Sequence, residues 1–110
     1  MKVPNAERAV IAADKISGYL LNLSHRRGAA KARLLLNFGY RSDIPHALEA
    51  DLRFQHLWLD VTGTSTNAYG VVYEIEGPIR TPSGRAVQFC SVWQIDTGAD
   101  VPRFITMYPR

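Results

Sequence analysis

Disulfides can be set aside first, because the 110 residues include one cysteine, Cys90, with no partner in the chain. A lone thiol in mid-sequence suits a reducing cytoplasm better than a stapled secreted scaffold. No apolar run approaches the roughly 20 residues that cross a bilayer. Met1 to Arg8 is charged with no apolar core behind it, which is not the pattern of an export leader. There is no paired Cys/His spacing for zinc, no glycine-rich phosphate loop and no Gly-x-Ser-x-Gly elbow. His25, His46 and His56 all lie in the half that reads as helical, so a Ser-His-Asp triad would need Ser91 brought to one of them across the fold. Excess charge of one sign is small. Thirteen Lys and Arg face ten Asp and Glu, a net charge of +3 that permits a nucleic-acid or acidic-protein partner without requiring one.

What is present is ordinary globular sequence, 46% hydrophobic and 21% charged, with no repeat and no break that would mark a second domain. Residues 1–110 therefore read as one domain, and the stretch from Tyr69 to Tyr108 organises it. Ala68 to Gly77 is rich in Val, Tyr and Ile up to Pro78, and Thr81-Pro82-Ser83-Gly84 has the residues of a tight turn. Arg85 to Ile95 alternates, setting Val87, Phe89, Ser91, Trp93 and Ile95 against Ala86, Gln88, Cys90, Val92 and Gln94. Asp96 to Pro102 makes a second connection, and Arg103 to Tyr108 forms a last strand in which Phe104, Thr106 and Tyr108 share a face.

Upstream, Ala9-Val10-Ile11 is either a brief edge strand or a segment packed on the core. Ile16, Tyr19, Leu20 and Leu23 repeat at helical spacing and predict a helix from Ala12 or Ala13 to about Leu23. A second helix is expected from Ala29 to Phe38, stopped at Gly39. A third, capped by Ser42 or Asp43 with Pro45 in its first turn, is expected to reach Trp58 or Leu59. Thr62 to Asn67 reads as a polar loop. The fold class is α+β, with two or three N-terminal helices on one face of a C-terminal antiparallel meander of three to four strands.

Among residues that can do chemistry, the densest positive cluster is His25, Arg26, Arg27, Lys31 and Arg33. It reads either as a phosphate contact or as a solvated loop and helix edge. Lys31 shares a helical face with Leu34, Leu35 and Phe38, so its stem runs along the core side and its ammonium points to the rim or into a cleft. His25 is a proton carrier or a structural hydrogen-bonder, and Gly28 behind it permits a close backbone approach. Thr106 and Tyr108 share a strand face, and Ser91 is a small polar break in an apolar row. Glu74 and Glu76 project together, as an acid–base pair or as an exposed acidic face. Trp58 and Trp93 are candidate anchors for a protein partner.

Several of these segments resemble a family of short, uncharacterised bacterial proteins that also occurs as C-terminal toxin domains. They are Pro4 to Ile11, Tyr19-Leu20-Leu21-Asn22, His25 with Gly28 and Lys31-Ala32-Arg33, Ser91 to Ile95, and Pro102 to Tyr108. Helices followed by a meander with a terminal Arg…Thr…Tyr strand are also similar to the RelE, barnase and colicin ribonuclease-toxin architecture. The resemblance implies RNA cleavage by a 2′-hydroxyl on its neighbouring phosphate, without metal or cofactor. In it Lys31, Arg33 and Arg103 supply positive charge, His25 moves protons, and Thr106 and Tyr108 position the phosphate. Arg33, Ser91 and Trp93 are the candidate substrate contacts. Barnase-like members set a carboxylate base opposite a strand or loop histidine. No histidine follows His56 here, so the acid must be His25, Lys31 or Tyr108. The implied partners are RNA and a cognate antitoxin or immunity protein. The rival expectation is a non-catalytic immunity or adaptor module that binds through its sheet face. The ribonuclease reading gains if Lys31, Arg103, Thr106 and Tyr108 converge in one concave site, and fails if they scatter.

Overall fold

Four strands form a single antiparallel sheet in sequence order in the computed structural model, which describes residues 1–110. They are β1 (Gly63–Asn67), β2 (Gly70–Arg80), β3 (Ala86–Asp96) and β4 (Arg103–Pro109). Before them come α1 (Ala13–Lys15), which runs on as a π-helical turn π1 (Ile16–Leu20), then α2 (Ala29–Asn37), then α3 (Pro45–Asp51), which runs on as π2 (Leu52–His56). The α+β class and the order of helices before meander are as the residue patterns predict.

The alternation of β3 holds. Phe89, Ser91 and Trp93 pair across to Gly77, Ile75 and Tyr73 of β2, and all three are buried beneath the helices. The Thr81–Gly84 turn also forms, with the Gly84 amide donating to the Thr81 carbonyl at 2.9 Å and Gly84 at φ +89°. Gly39 stops α2 with φ +96°, and a β-carbon there would lie 2.9 Å from the Ser83 amide nitrogen. The end of α2 thus docks onto the β2–β3 turn, where the Ser83 amide donates to the Phe38 carbonyl at 3.0 Å.

Four expectations are corrected. The segment read as a polar loop is mostly strand. Thr64 and Thr66 pair with Tyr73 and Val71, and the Asn67 side-chain oxygen accepts from the Tyr69 and Gly70 amides to close the hairpin. A short threonine-rich edge is compatible with a sheet once a partner strand supplies its hydrogen bonds. The first helix stops short of Leu23, which is 53% exposed. The Leu21 amide donates back to the Ile16 carbonyl, five residues away, and the widened turn buries Leu21 in place of Leu23. The third helix starts after Ile44 with no side-chain cap, because Asp43 is engaged by Arg41 instead. It ends at His56, before Trp58.

The last correction concerns β4. Its pairing slips between Val92 and Trp93, where Ile105 is inserted as a bulge. Phe104 and Met107 therefore both enter the core, while Thr106 and Tyr108 pair with Val92 and Cys90 on the other face. Beyond β4, Val10 makes a single parallel bridge to Arg103, so the N-terminal segment is a one-residue edge. No helix is long and apolar enough to cross a membrane.

Candidate functional site

Tyr19 sits on the π1 turn, and the loop that follows wraps around its ring. Gly28 makes this possible, because a β-carbon at that position would lie 2.6 Å from the Tyr19 carbonyl oxygen and 2.8 Å from the ring. The close approach that Gly28 permits is to Tyr19. His25 holds the same loop together. Its Nδ1 accepts from the backbone amides of Arg27 at 3.0 Å and Gly28 at 2.9 Å, which puts the proton of the neutral ring on Nε2. The imidazole meets the Tyr19 ring edge-on with centroids 4.9 Å apart. The loop then opens into α2, and Lys31 comes round to face Tyr19.

Lys31 is the centre of the arrangement. Its Nζ donates to the Tyr19 phenol at 2.9 Å and to the Thr106 hydroxyl of β4 at 3.0 Å, joining groups 12 and 75 residues away in sequence. Tyr19 Oη and Thr106 Oγ1 are themselves 3.4 Å apart. No carboxylate pairs with this ammonium; the ion pairs of the chain all lie elsewhere. Burial pushes the Tyr19 phenol up. The hydrogen bonds from Lys31 and Thr106 and the charges of Lys31 and Lys15 outweigh it, and the phenol ends more acidic than a free tyrosine.

These three side chains line a recess of about 510 Å³ at the β4 edge. His25, Lys15 and Arg27 line it too, with Ile105 from the bulge and one carboxylate, Asp14. Neither Lys15 nor Arg27 is in an ion pair, so the recess has an uncompensated positive charge. An ammonium has three donors and the protein occupies two of Lys31's. The third is free to meet an anionic oxygen.

Of the predicted residues, His25, Lys31 and Thr106 come together here. Tyr108 stands beside them, with its ring centroid 6.0 Å from Lys31 Nζ, but its hydroxyl turns to Cys90 rather than to the ammonium. There the Cys90 thiol, then burial and the nearby Glu74 carboxylate, push the phenol up to about 12 against the pull of Arg110. Arg103 does not converge. Its guanidinium is held by Asp96 at 2.8 Å across the β3–β4 connection. Arg33 lies exposed on α2, two residues past Lys31 and so on another helical face.

Ser91 and Trp93 cannot touch a substrate, since both are fully buried. The Trp93 indole N–H donates to Ser91 Oγ at 2.9 Å, and Ser91 Oγ is 2.6 Å from His56 Nδ1. His56 Nε2 faces the carbonyls of Gly77 and Phe89 at 3.1 and 3.2 Å, so it carries the proton and Ser91 donates to Nδ1. A serine does meet a histidine from the helical half, but inside the core and with no carboxylate behind it. Glu76 forms an exposed ion pair with Arg110, and Trp58 is 45% exposed. No three His, Cys, Asp or Glu side chains are grouped so as to hold a metal ion.

Tyr19 and Lys15 line the recess although sequence reasoning places neither in a site, and Arg27 enters it from the cationic cluster that reads as a phosphate contact. A phenol inside an otherwise aliphatic stripe was the available signal for Tyr19, since a buried tyrosine hydroxyl needs a partner.

The sequence model of one family, DUF6883, a domain of unknown function, matches residues 2–110. The chain belongs to that family. No curated protein matches it. Among solved structures it is similar to a chain of the contact-dependent growth inhibition toxin–immunity protein complex from Klebsiella pneumoniae 342. The match has a TM-score of 0.68 at 23% identity and covers 92% of this chain and 99% of that one. The likeness establishes a shared fold. In this DUF6883 chain the recess at the β4 edge is where solvent-reachable polar groups from the helical half and the sheet meet.

Proposed function

We propose that the chain is a bacterial toxin domain that cleaves RNA, by attack of a 2′-hydroxyl on the adjacent phosphodiester, in the recess built around Lys31. The observation that supports it most is an ammonium with no carboxylate partner, hydrogen-bonded to two hydroxyls, in a recess whose other charges are mainly cationic. Such a site suits a phosphate whose charge grows as the phosphorus becomes five-coordinate. The Lys31 ammonium would hold the non-bridging oxygens, with Thr106 positioning it. Arg27 and Lys15 would take the flanking backbone, and His25 offers Nε2 toward the same space. The P–O5′ bond breaks as the 2′-oxygen attacks, leaving a 2′,3′-cyclic phosphate and a 5′-hydroxyl. The solved relative belongs to a toxin–immunity protein complex, which supports a role on one side or the other of such a pair.

A second reading has its own observation. Phe54 and Trp58, 75% and 45% exposed, stand on and just after π2 and suit the anchors of a non-catalytic immunity or adaptor module. Induced expression in a bacterium separates the two. The toxin reading expects growth arrest and cleaved tRNA or total RNA, both lost in Lys31→Ala with folding intact. Harmless expression and intact RNA from purified wild-type protein favour the module.

A further inference from the structure

RNA cleavage through the 2′-hydroxyl needs one group to take a proton and another to return one, and the residues named so far leave the first role open. His25 spends Nδ1 on two backbone amides. Tyr108 commits its hydroxyl to the Cys90 thiol. Glu76 is tied to Arg110. Tyr19 is the one oxygen acid in direct contact with Lys31 inside the recess.

On the reading that this site cleaves RNA, we infer that Tyr19 is the catalytic base and that Tyr19 and Lys31 work as one proton-exchanging pair. The phenolate of Tyr19 takes the 2′-hydroxyl proton as the 2′-oxygen bonds to phosphorus. The P–O5′ bond breaks with its electron pair on the 5′-oxygen, which takes a proton from the Lys31 ammonium. The Tyr19 phenol then passes its proton to the Lys31 amine across the 2.9 Å contact, which restores phenolate and ammonium. No proton is gained or lost over the cycle, and no outside reactant is required.

Three features of the fold serve this role. The ring is immobilised between Gly28, which has no side chain to displace it, and the edge of His25. The ammonium and the Thr106 hydroxyl both bond to the phenol oxygen or its immediate neighbour, which favours the ionised form. The titratable and charged groups around the ring are Asp14 and Lys15 of α1, His25 and Arg27 of the loop, and Lys31 of α2, with three cations to one carboxylate; β4 adds the uncharged Ile105 and Thr106, with Tyr108 beyond Lys31. The net lowering of the phenol agrees with that setting.

The test uses full-length protein and a tRNA pool, with Tyr19→Phe and with 3,5-difluorotyrosine incorporated at position 19. Tyr19→Phe keeps the ring against Gly28 and is expected to lower the cleavage rate by about 10²- to 10⁴-fold, with its melting curve checked alongside. Difluorotyrosine makes the phenol more acidic, and the rising limb of the pH–rate profile is expected to move to lower pH. A well-folded Tyr19→Phe with wild-type rate, or a limb that does not move, overturns the inference. If wild-type protein cleaves no RNA at any pH, the ribonuclease reading fails on its own. Ultraviolet titration of wild type against Tyr19→Phe still judges the pair. A phenol at position 19 that ionises ahead of the other four tyrosines supports it, and one that titrates with them overturns it.

Discussion

Two polar clusters of three side chains each draw on both halves of this chain, and they are opposites. The His56–Ser91–Trp93 cluster is sealed in the core, and every donor and acceptor in it is partnered. The Tyr19–Lys31–Thr106 cluster opens on a recess, carries a net charge, and leaves an ammonium donor unused. Buried polar groups that are fully satisfied help to specify a unique core. Polar groups left charged and reachable cost the fold something and are kept where a ligand completes them. Complete satisfaction marks the first as architecture, and incompleteness makes the second the candidate site.

The largest effect on stability should come from the sealed cluster. Trp93→Ala removes a fully buried indole that also packs edge-on against Phe104, with ring centroids 5.2 Å apart. A loss of about 3–5 kcal/mol is expected, read as a fall in the urea midpoint. A midpoint near wild type would mean that this cluster is not structural.

Lys31→Ala should do the reverse. Removing a preorganised charge from a transition state typically lowers the rate about 10²- to 10³-fold, and a comparable loss of RNA cleavage is expected. Stability should change far less than for Trp93→Ala, since the hydroxyls of Tyr19 and Thr106 remain within reach of each other and of water. Unfolding of Lys31→Ala at the level of Trp93→Ala would show that the open cluster is a strut of the fold.

Gly28→Ala sharpens the comparison from the backbone side. The added methyl must displace the Tyr19 carbonyl or ring, and overpacking of this kind costs about 1–3 kcal/mol. Because the strain falls on Tyr19, catalysis should suffer more than stability. Equal loss of both would mean that Gly28 serves the fold alone.

These contrasts also explain how much was legible in the sequence. Alternation along β3 and the Thr81–Gly84 turn are local patterns, and both survive folding because the sheet obeys the same period of two. The convergence of His25, Lys31 and Thr106 was readable as candidates because unpaired polar groups near apolar stripes are unusual. Ser91 and Trp93 look the same on paper as groups lining a cleft. Only the docking of π2 over β3 buries them, and nothing local announces that contact. Ile105 and the widened turns at Leu21 and Leu57 were equally hidden, since a bulge or a five-residue hydrogen bond forms when tertiary packing selects it. The spacing of Tyr19 matches the apolar stripe of a helix; its hydroxyl finds Lys31 only after the loop at Gly28 folds back.

A smaller effect concerns the charge state of the sealed cluster. Burial holds the His56 imidazole below its ordinary value of 6.5, against the pull of the Gly77 and Phe89 carbonyls. The unfolded chain takes up a proton near that value while the folded chain resists. Stability from this group is therefore complete above pH 6.5 and falls as the pH drops below it. The slope can reach about 1.4 kcal/mol per pH unit until the folded imidazole itself protonates. Urea unfolding of wild type against His56→Asn between neutral and mildly acidic pH measures the difference. Parallel curves would mean that the imidazole is hydrated and the cluster is not sealed.

The smallest effect is expected at Arg103, whose position in the terminal Arg…Thr…Tyr strand points to catalysis. The side chain is spent on Asp96, an exposed carboxylate that the guanidinium holds below the usual range, with a further hydrogen bond from Gln94. A solvated pair of this kind contributes little to stability, and the pairing slip at Ile105 separates Arg103 from Thr106 along the strand. Arg103→Ala should therefore cleave RNA at close to the wild-type rate and melt at close to the wild-type temperature. The informative comparison is with Lys31→Ala at matched salt. If Arg103→Ala loses activity to the same degree, the guanidinium must leave Asp96 to reach the substrate, and the boundary of the site extends along β4 beyond the recess.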